Sequence, residues 1–250
     1  PGGSALAHVR VLLESEGGGA VGAVIVEPIQ GRGGDIVPPT GFLRGLADLC
    51  RERGLLLILD EIYTGLGRAG SWFACEDEGV VPDLLCVGKA LSGTLPIAAC
   101  IGSRDVMESW PTSSGEAIHT STFLGNPLAC AAGLASLGEI KRRGLVERSA
   151  SEGERWLAEL RATLGKHKAV GDVRGRGLMI GIDLVVDPSS REPDPQLGGR
   201  VVIEALRGGW IVLAGGPAGN VISLSPPLSL SRELMRAATR LLDETIGAAC

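Results

Sequence analysis

Short, wholly apolar runs that alternate with helical patterns constrain this chain more than any other feature, because such runs fit strands buried on both faces of a parallel sheet. Four of them occur in the first half: Val21 to Glu27 (VGAVIVE), Leu55 to Asp60 (LLLILD), Asp83 to Val87 (DLLCV) and Ile97 to Ile101 (IAACI). Between the first two, Phe42 to Arg53 places Leu43, Leu46, Ala47 and Cys50 at helical spacing, with Gly54 as a C-terminal cap. The pattern is a βαβ unit. A second helix is expected from Asn126-Pro127, an N-cap followed by proline at the first helical position, to about Arg143. Its small residues, Ala129, Ala131, Ala132, Gly133 and Ala135, imply close packing.

After Gly144 the texture changes. A polar helix is expected over Leu145 to Lys166, with Leu157, Leu160 and Leu164 on one face, then a strand at Gly177 to Leu184 and a loop at Asp187 to Gln196. Helix Arg200 to Arg207, strands Trp210 to Ala214 and Val221 to Leu224, and a last helix capped by Ser231 follow, with Leu234, Ala238, Leu241 and Thr245 along it. The expected division is a mostly parallel α/β domain over 1–144 and a smaller α+β domain over 145–250. A length of 250 residues accommodates both.

A hydrophobic fraction of 44%, a charged fraction of 21% and a formal charge of -5 argue against disorder, nucleic-acid binding and attachment to a membrane surface. No apolar run approaches the ~20 residues that cross a bilayer. The six cysteines (Cys50, Cys75, Cys86, Cys100, Cys130, Cys250) form no C-x-x-C pair and no metal-ligand spacing with histidine, so neither a metal nor a disulfide framework is expected. Several sit inside apolar runs, as reduced cysteines do, which points to a cytoplasmic setting. The start at Pro1 instead of Met points to a partial sequence.

Glycine is 38 of 250 residues, about twice the usual ~7%, so glycine motifs arise by chance. The G-x-G-x-x-G at Gly17, Gly19 and Gly22 precedes a strand; the one at Gly65, Gly67 and Gly70 lacks the long helix of a dinucleotide-binding turn. Gly88-Lys89 resembles the end of a P-loop, but Asp83 and Ala90 break that pattern. More informative is placement: Asp60 ends one strand and Lys89 lies just past the end of the next, where open parallel sheets bind ligands. Either the two form a structural ion pair, or desolvation turns Lys89 into a nucleophile toward an aldehyde.

EPIQG (Glu27 to Gly31), LILDEIYTGLGRAG (Leu57 to Gly70), PDLLCVGKALSG (Pro82 to Gly93), HTSTFLGNPLACAAG (His119 to Gly133) and VRGRGLMIG (Val173 to Gly181) together resemble the ordered motif set of class-III pyridoxal-phosphate aminotransferases. The resemblance implies fold type I, pyridoxal 5'-phosphate as cofactor, and a homodimer with an active site shared between subunits. It implies that Lys89 holds the cofactor as a Schiff base and, once freed, moves a proton between the substrate carbon and the cofactor. Asp60 would pair with the pyridine nitrogen. Ile62, two residues on along an extended segment, would pack on the ring face, and Tyr63 would either hydrogen-bond the cofactor's phenolic oxygen or only pack. Thr122 would bind the phosphate of the partner subunit's cofactor; its alternative is a hydroxyl on local backbone. Family members are longer, so this segment is expected to be an incomplete pocket that binds the cofactor poorly alone.

Two departures bear on substrate. Many members that handle amino acids carry Glu where this chain has Arg32, and Arg where it has Ser223, a pair that gates a substrate carboxylate. Arg32 is therefore either a carboxylate-recognising residue or a solvated loop arginine. The activity implied is transfer of an amino group from an amine or ω-amino acid to a 2-oxo acid. An aminomutase, a racemase, a decarboxylating transaminase or an inactive fragment shares the same motifs.

Overall fold

The computed structural model describes residues 2–15, 18–115 and 121–249. Gly17 of the first glycine-rich match, His119 and Thr120 of the HTSTF run, and Cys250 lie outside the described residues. The chain forms two compact units: Pro1–Pro28, Pro38–Leu66 and Phe73–Arg143 make the first, and Ile29–Val37, Gly67–Trp72 and Gly144–Cys250 the second. Two segments from the first 144 residues thus pack with the second unit.

The first unit holds a four-stranded sheet in the order β1 (Ala23–Val26), β2 (Leu56–Asp60), β3 (Leu84–Val87) and β4 (Ala99–Gly102). β1, β2 and β3 run parallel, whereas β4 is antiparallel to β3. Helix α2 (Phe42–Arg53), which follows α1 (Gly2–Glu14), covers one face. Its Leu43, Leu46, Ala47 and Cys50 form a core with Leu57, Leu59, Cys75 and Val80, as its spacing predicts. Because successive strand residues alternate faces, Leu56, Ile58 and Asp60 point the other way. In register, Asp60 lies beside Cys86 and Cys86 beside Cys100, so these three share that second face. After the short helix α3 (Arg104–Glu108), α4 (Pro127–Arg142) begins as predicted: Asn126 Oδ1 accepts the N–H groups of Leu128 and Ala129 at 3.0 and 3.2 Å.

The second unit is an antiparallel sheet in the order β5 (Val170–Arg176), β6 (Met179–Leu184), β8 (Val221–Leu224), β7 (Leu213–Gly215). Helices α5 (Leu145–Leu164), α6 (Pro195–Arg207) and α7 (Arg232–Ala249) close a core in which Leu160, Leu164, Ile180, Ile182, Leu184, Ile222, Met235 and Ile246 are fully buried. Trp156 sits among them and donates from Nε1 to Thr239 Oγ1 at 3.0 Å, which satisfies the indole in an apolar surrounding.

Several expectations change. β5 was not expected, because Gly171, Asp172, Arg174, Gly175 and Arg176 interrupt any apolar alternation; its partners on β6 make it a strand. α6 starts at Pro195 instead of Arg200, since Asp194 Oδ1 accepts the Leu197 N–H at 2.8 Å and proline fits the first turn. The strand expected at Trp210 to Ala214 is Leu213–Gly215. On α7 the buried stripe is Met235, Ala238, Thr239, Leu242 and Ile246, while Leu234 is exposed; the stripe shares only Ala238 with the expected face.

The glycine-rich turns have a packing reason. Gly177, at φ 56°, lies where a Cβ would stand 2.5 Å from the Ala69 carbonyl carbon, and on α5 a Cβ on Gly153 would stand 2.0 Å from the Gly177 carbonyl oxygen. Arg68 interlocks the same turn: its backbone carbonyl accepts the Leu178 N–H at 3.0 Å, and its guanidinium donates to the carbonyls of Leu178 and Pro226. Gly70, the last glycine of that match, is therefore part of a backbone crossing, with no helix N-terminus behind it.

Candidate active site

The site lies at the C-terminal ends of β2 and β3 in the first unit. Asp60 ends β2 half-buried, and its Oδ1 accepts the Ile62 N–H at 3.0 Å. Beyond Asp60 the chain turns instead of staying extended: the Gly65 N–H reaches the Glu61 carbonyl at 3.0 Å. The extended segment expected to aim Ile62 is thus absent. Ile62 instead lies against the next turn, where a Cβ on Gly88 would stand 3.4 Å from Ile62 Cγ2.

Glu61 anchors this turn, and sequence reasoning passed over it. The side chain is 1% exposed, and its carboxylate accepts the Thr64 hydroxyl and the N–H groups of Ala74 and Cys75 at 3.0 and 2.9 Å. A buried carboxylate is tolerable only when so satisfied. Burial and then the Glu61 charge push the neighbouring Cys75 thiol up to about 12. The acidic doublet at a strand end, Asp60-Glu61, is the signal that marks it: one acid faces the site, the other the interior.

Lys89 opens a single 3-10 turn (Lys89–Leu91) after β3, with a left-handed φ of 41°. The turn is pinned by Leu91 N–H to Gly88 O at 2.9 Å and by the Ser136 hydroxyl of α4, which donates to Ala90 O at 3.1 Å. α4 approaches closely because Gly133 has no side chain; a Cβ there would stand 3.4 Å from Leu91 O. Two expectations about Lys89 change here. Among the described residues no ion pair joins it to Asp60 or any other carboxylate, and its side chain is exposed, so the burial that would desolvate the amine is not present. Its Nζ lies instead 4.9 Å from the centroid of the Tyr63 ring. Burial, Cys100 and Asp60 raise the pKa of the Cys86 thiol, which fits the shared face of these residues.

Thr122 is exposed in the turn before α4 and makes no hydrogen bond with Asp60, Tyr63 or Lys89 among the described residues. Its neighbours Ser121 and Phe123 line an open groove with Pro96, Ile97 and Ala98. Phe123, Leu124 and Leu128, at 75%, 64% and 67% exposure, make this an apolar surface. Arg32 belongs to the second unit, where its side chain is exposed and its carbonyl accepts the Gly216 N–H at 3.1 Å. Arg174 braces the Arg32 loop, donating from Nε and Nη2 to Gly34 O at 3.0 and 2.7 Å. No cluster of three metal-ligating side chains occurs among the described residues.

An α/β unit with a lysine amine and a carboxylate at adjacent strand ends presents both where open parallel sheets bind ligands. Comparison with known proteins identifies the family. The aminotransferase class-III family model matches residues 4–246. A 4-aminobutyrate aminotransferase of Mycobacterium leprae (strain TN) is 42% identical over 96% of this chain and 52% of its own length. A leucine/methionine racemase of Thermococcus litoralis is 38% identical over 91% of this chain and 50% of its own length. Among solved structures, a PLP-bound amine transaminase from an uncultivated Pseudomonas species superposes with a TM-score of 0.91 at 35% identity, covering 99% of this chain and 56% of that one. The chain belongs to the class-III aminotransferase family. It spans about half the length of the curated relatives it matches.

Proposed function

We propose that this chain carries the lysine and aspartate of a pyridoxal 5'-phosphate site in a transaminase that moves an amino group from an amine or ω-amino acid to a 2-oxo acid. The observation that carries this reading is the pair of adjacent strand ends: Asp60 at the end of β2, and past the end of β3 an exposed Lys89 amine paired with no carboxylate among the described residues. The residues fit the cofactor. Asp60 has one oxygen committed to Ile62 N–H, which leaves the other to receive a ring N–H, and Lys89 is a primary amine with room around it. When bound, the cofactor supplies an aldehyde for amine condensation and a ring that takes up the electron pair left by a departing carbon-bound proton.

Lys89 would hold the cofactor covalently through its amine and, when free, would carry a proton to or from the substrate carbon. Asp60 keeps the ring nitrogen protonated through a charge-assisted hydrogen bond. Tyr63 would border the ring, and Ile62, which lies against the Gly88 turn, would reach it only from that turn. Thr122 would bind the phosphate of the partner subunit's cofactor, and the exposed Phe123, Leu124 and Leu128 beside it suit a homodimer. Arg32 meets the carboxylate of an acidic substrate. Residues 1–144, apart from the segments Ile29–Val37 and Gly67–Trp72 that pack with the second unit, then belong to the cofactor-binding domain and 145–250 to a small domain. The free thiols among the described cysteines suit a reducing cytoplasm.

The test is chemical. Pyridoxal phosphate followed by borohydride marks the Lys89 peptide ahead of Lys141, Lys166 and Lys168, and amino transfer between an amine and a 2-oxo acid disappears in Lys89→Ala. No fixed adduct and no exchange in the full-length protein sinks the reading. A racemase, favoured by the resemblance to the leucine/methionine enzyme, is recognised by inversion of a chiral amino acid without a 2-oxo acid.

A further inference from the structure

Lys89 is a cation at a site that also contains a carboxylate, and the two do not pair. Its amine faces the ring of Tyr63 instead, 4.9 Å from the centroid and inside the ~6 Å reach of a cation–π contact. We propose that Tyr63 is a positioning residue for Lys89 that works through its ring face and not through its hydroxyl.

Both ends of this contact are fixed by backbone. The Lys89 turn is tied by Leu91 N–H to Gly88 O, Gly93 N–H to Lys89 O at 3.3 Å, and the Ser136 hydroxyl to Ala90 O. The left-handed φ of Lys89, rare for a residue with a Cβ, sets the direction in which the side chain leaves the chain. Tyr63 lies within the turn that Glu61 anchors from the buried side. What remains free is the long lysine side chain, and the ring selects one arrangement of it.

A neutral partner has a chemical consequence that a carboxylate lacks. An ion pair with Asp60 would oppose loss of the lysine proton and would occupy the carboxylate. The ring face holds the lysine head group beside the strand ends without engaging a carboxylate, so Asp60 stays open for a cationic ring N–H. That consequence rests on the reading of Lys89 as the cofactor lysine, whereas the ring contact is present in the chain without it.

Trace acetylation of the full chain by acetic anhydride at neutral pH, without cofactor, tests the contact, with Lys89 labelling read by peptide mass spectrometry relative to exposed Lys141. Tyr63→Leu is expected to raise the Lys89 to Lys141 ratio by about two- to five-fold, the scale of an exposed cation–π contact. Tyr63→Phe leaves it unchanged, and Tyr63→Trp lowers it. An unchanged ratio in Tyr63→Leu, or a rise in Tyr63→Phe equal to that in Tyr63→Leu, overturns the proposal. If Tyr63→Leu does not fold, a ratio in Tyr63→Trp no lower than in Tyr63→Phe overturns it instead. The expected ratios together with no borohydride-fixed cofactor on Lys89 support the ring contact and sink only the transaminase reading.

Discussion

The two units bury their sheets differently. In the second, Ile180, Ile182, Leu184 and Ile222 are 0% exposed under three helices, and the core closes on itself. In the first, α2 covers the face carrying Leu57 and Leu59, whereas on strands β1 and β4 Ile25 and Ile101 are 65% and 52% exposed. The unit with the complete core holds none of the chemistry assigned to Lys89 and Asp60. The unit with that chemistry is a half-covered sheet whose site is held together locally, by Glu61 on one side and by Ser136 and Gly133 of α4 on the other.

The sharpest way to break this comparison is to empty the closed core. Trp156→Ala should lower the unfolding free energy of the second unit by about 3–5 kcal/mol, read by denaturant titration of circular dichroism; a shift below about 1 kcal/mol would mean that the core is not closed. Adding volume gives the next effect: Gly153→Ala drives a Cβ into the Gly177 carbonyl and is expected to destabilise by about 1–3 kcal/mol in the same titration.

In the first unit the comparable residue is polar. Glu61→Gln replaces an acceptor of three hydrogen bonds by an amide that turns its NH2 toward other donors, so a loss of about 1–3 kcal/mol is expected, with faster proteolysis near residues 73–78. Unaltered protease sensitivity would remove Glu61 from its anchoring role.

Acid probes the second unit more gently. The bidentate Arg232 guanidinium holds the Glu152 carboxyl down to about 2, against the opposing effect of burial, with help from Arg155. A lowered folded-state pKa contributes stability that is present above the unfolded value and lost as pH falls through the folded one. Stability should therefore decline between about pH 4.5 and about pH 2. The decline is about 1–2 kcal/mol, discounted because Arg232 is 61% exposed. It should vanish in Glu152→Gln. Smallest of all, Phe123→Ser on the open surface should change stability by no more than about 0.5 kcal/mol while reducing self-association by light scattering; a larger loss would show that the surface is part of a core.

Much of this was legible before any fold was seen. α2 was delimited by its i, i+3, i+4, i+7 stripe and Gly54, and α4 by Asn126-Pro127, because caps and periodicity are local properties of the chain. The placement of Asp60 and Lys89 at strand ends followed from apolar runs, and the family from motif order. The stripe on α7 misled because its neighbours, not its periodicity, decide which of two adjacent apolar rows is buried. β5 stayed hidden because its charged and glycine residues become a strand only through β6.

The sequence by itself determined α2, α4, α5, α7 and most of the strands, the position of an amine and an acid at strand ends, and the family. Tertiary structure alone decided what those groups touch: that Asp60 receives Ile62 N–H, that Lys89 faces the Tyr63 ring instead of a carboxylate, and that Glu61 turns inward. The physical reason is range. Periodicity and caps are written within a few residues of chain, whereas the partner of a side chain depends on residues brought near by turns such as 61–65 and 88–91, whose geometry is set by contacts distant in sequence.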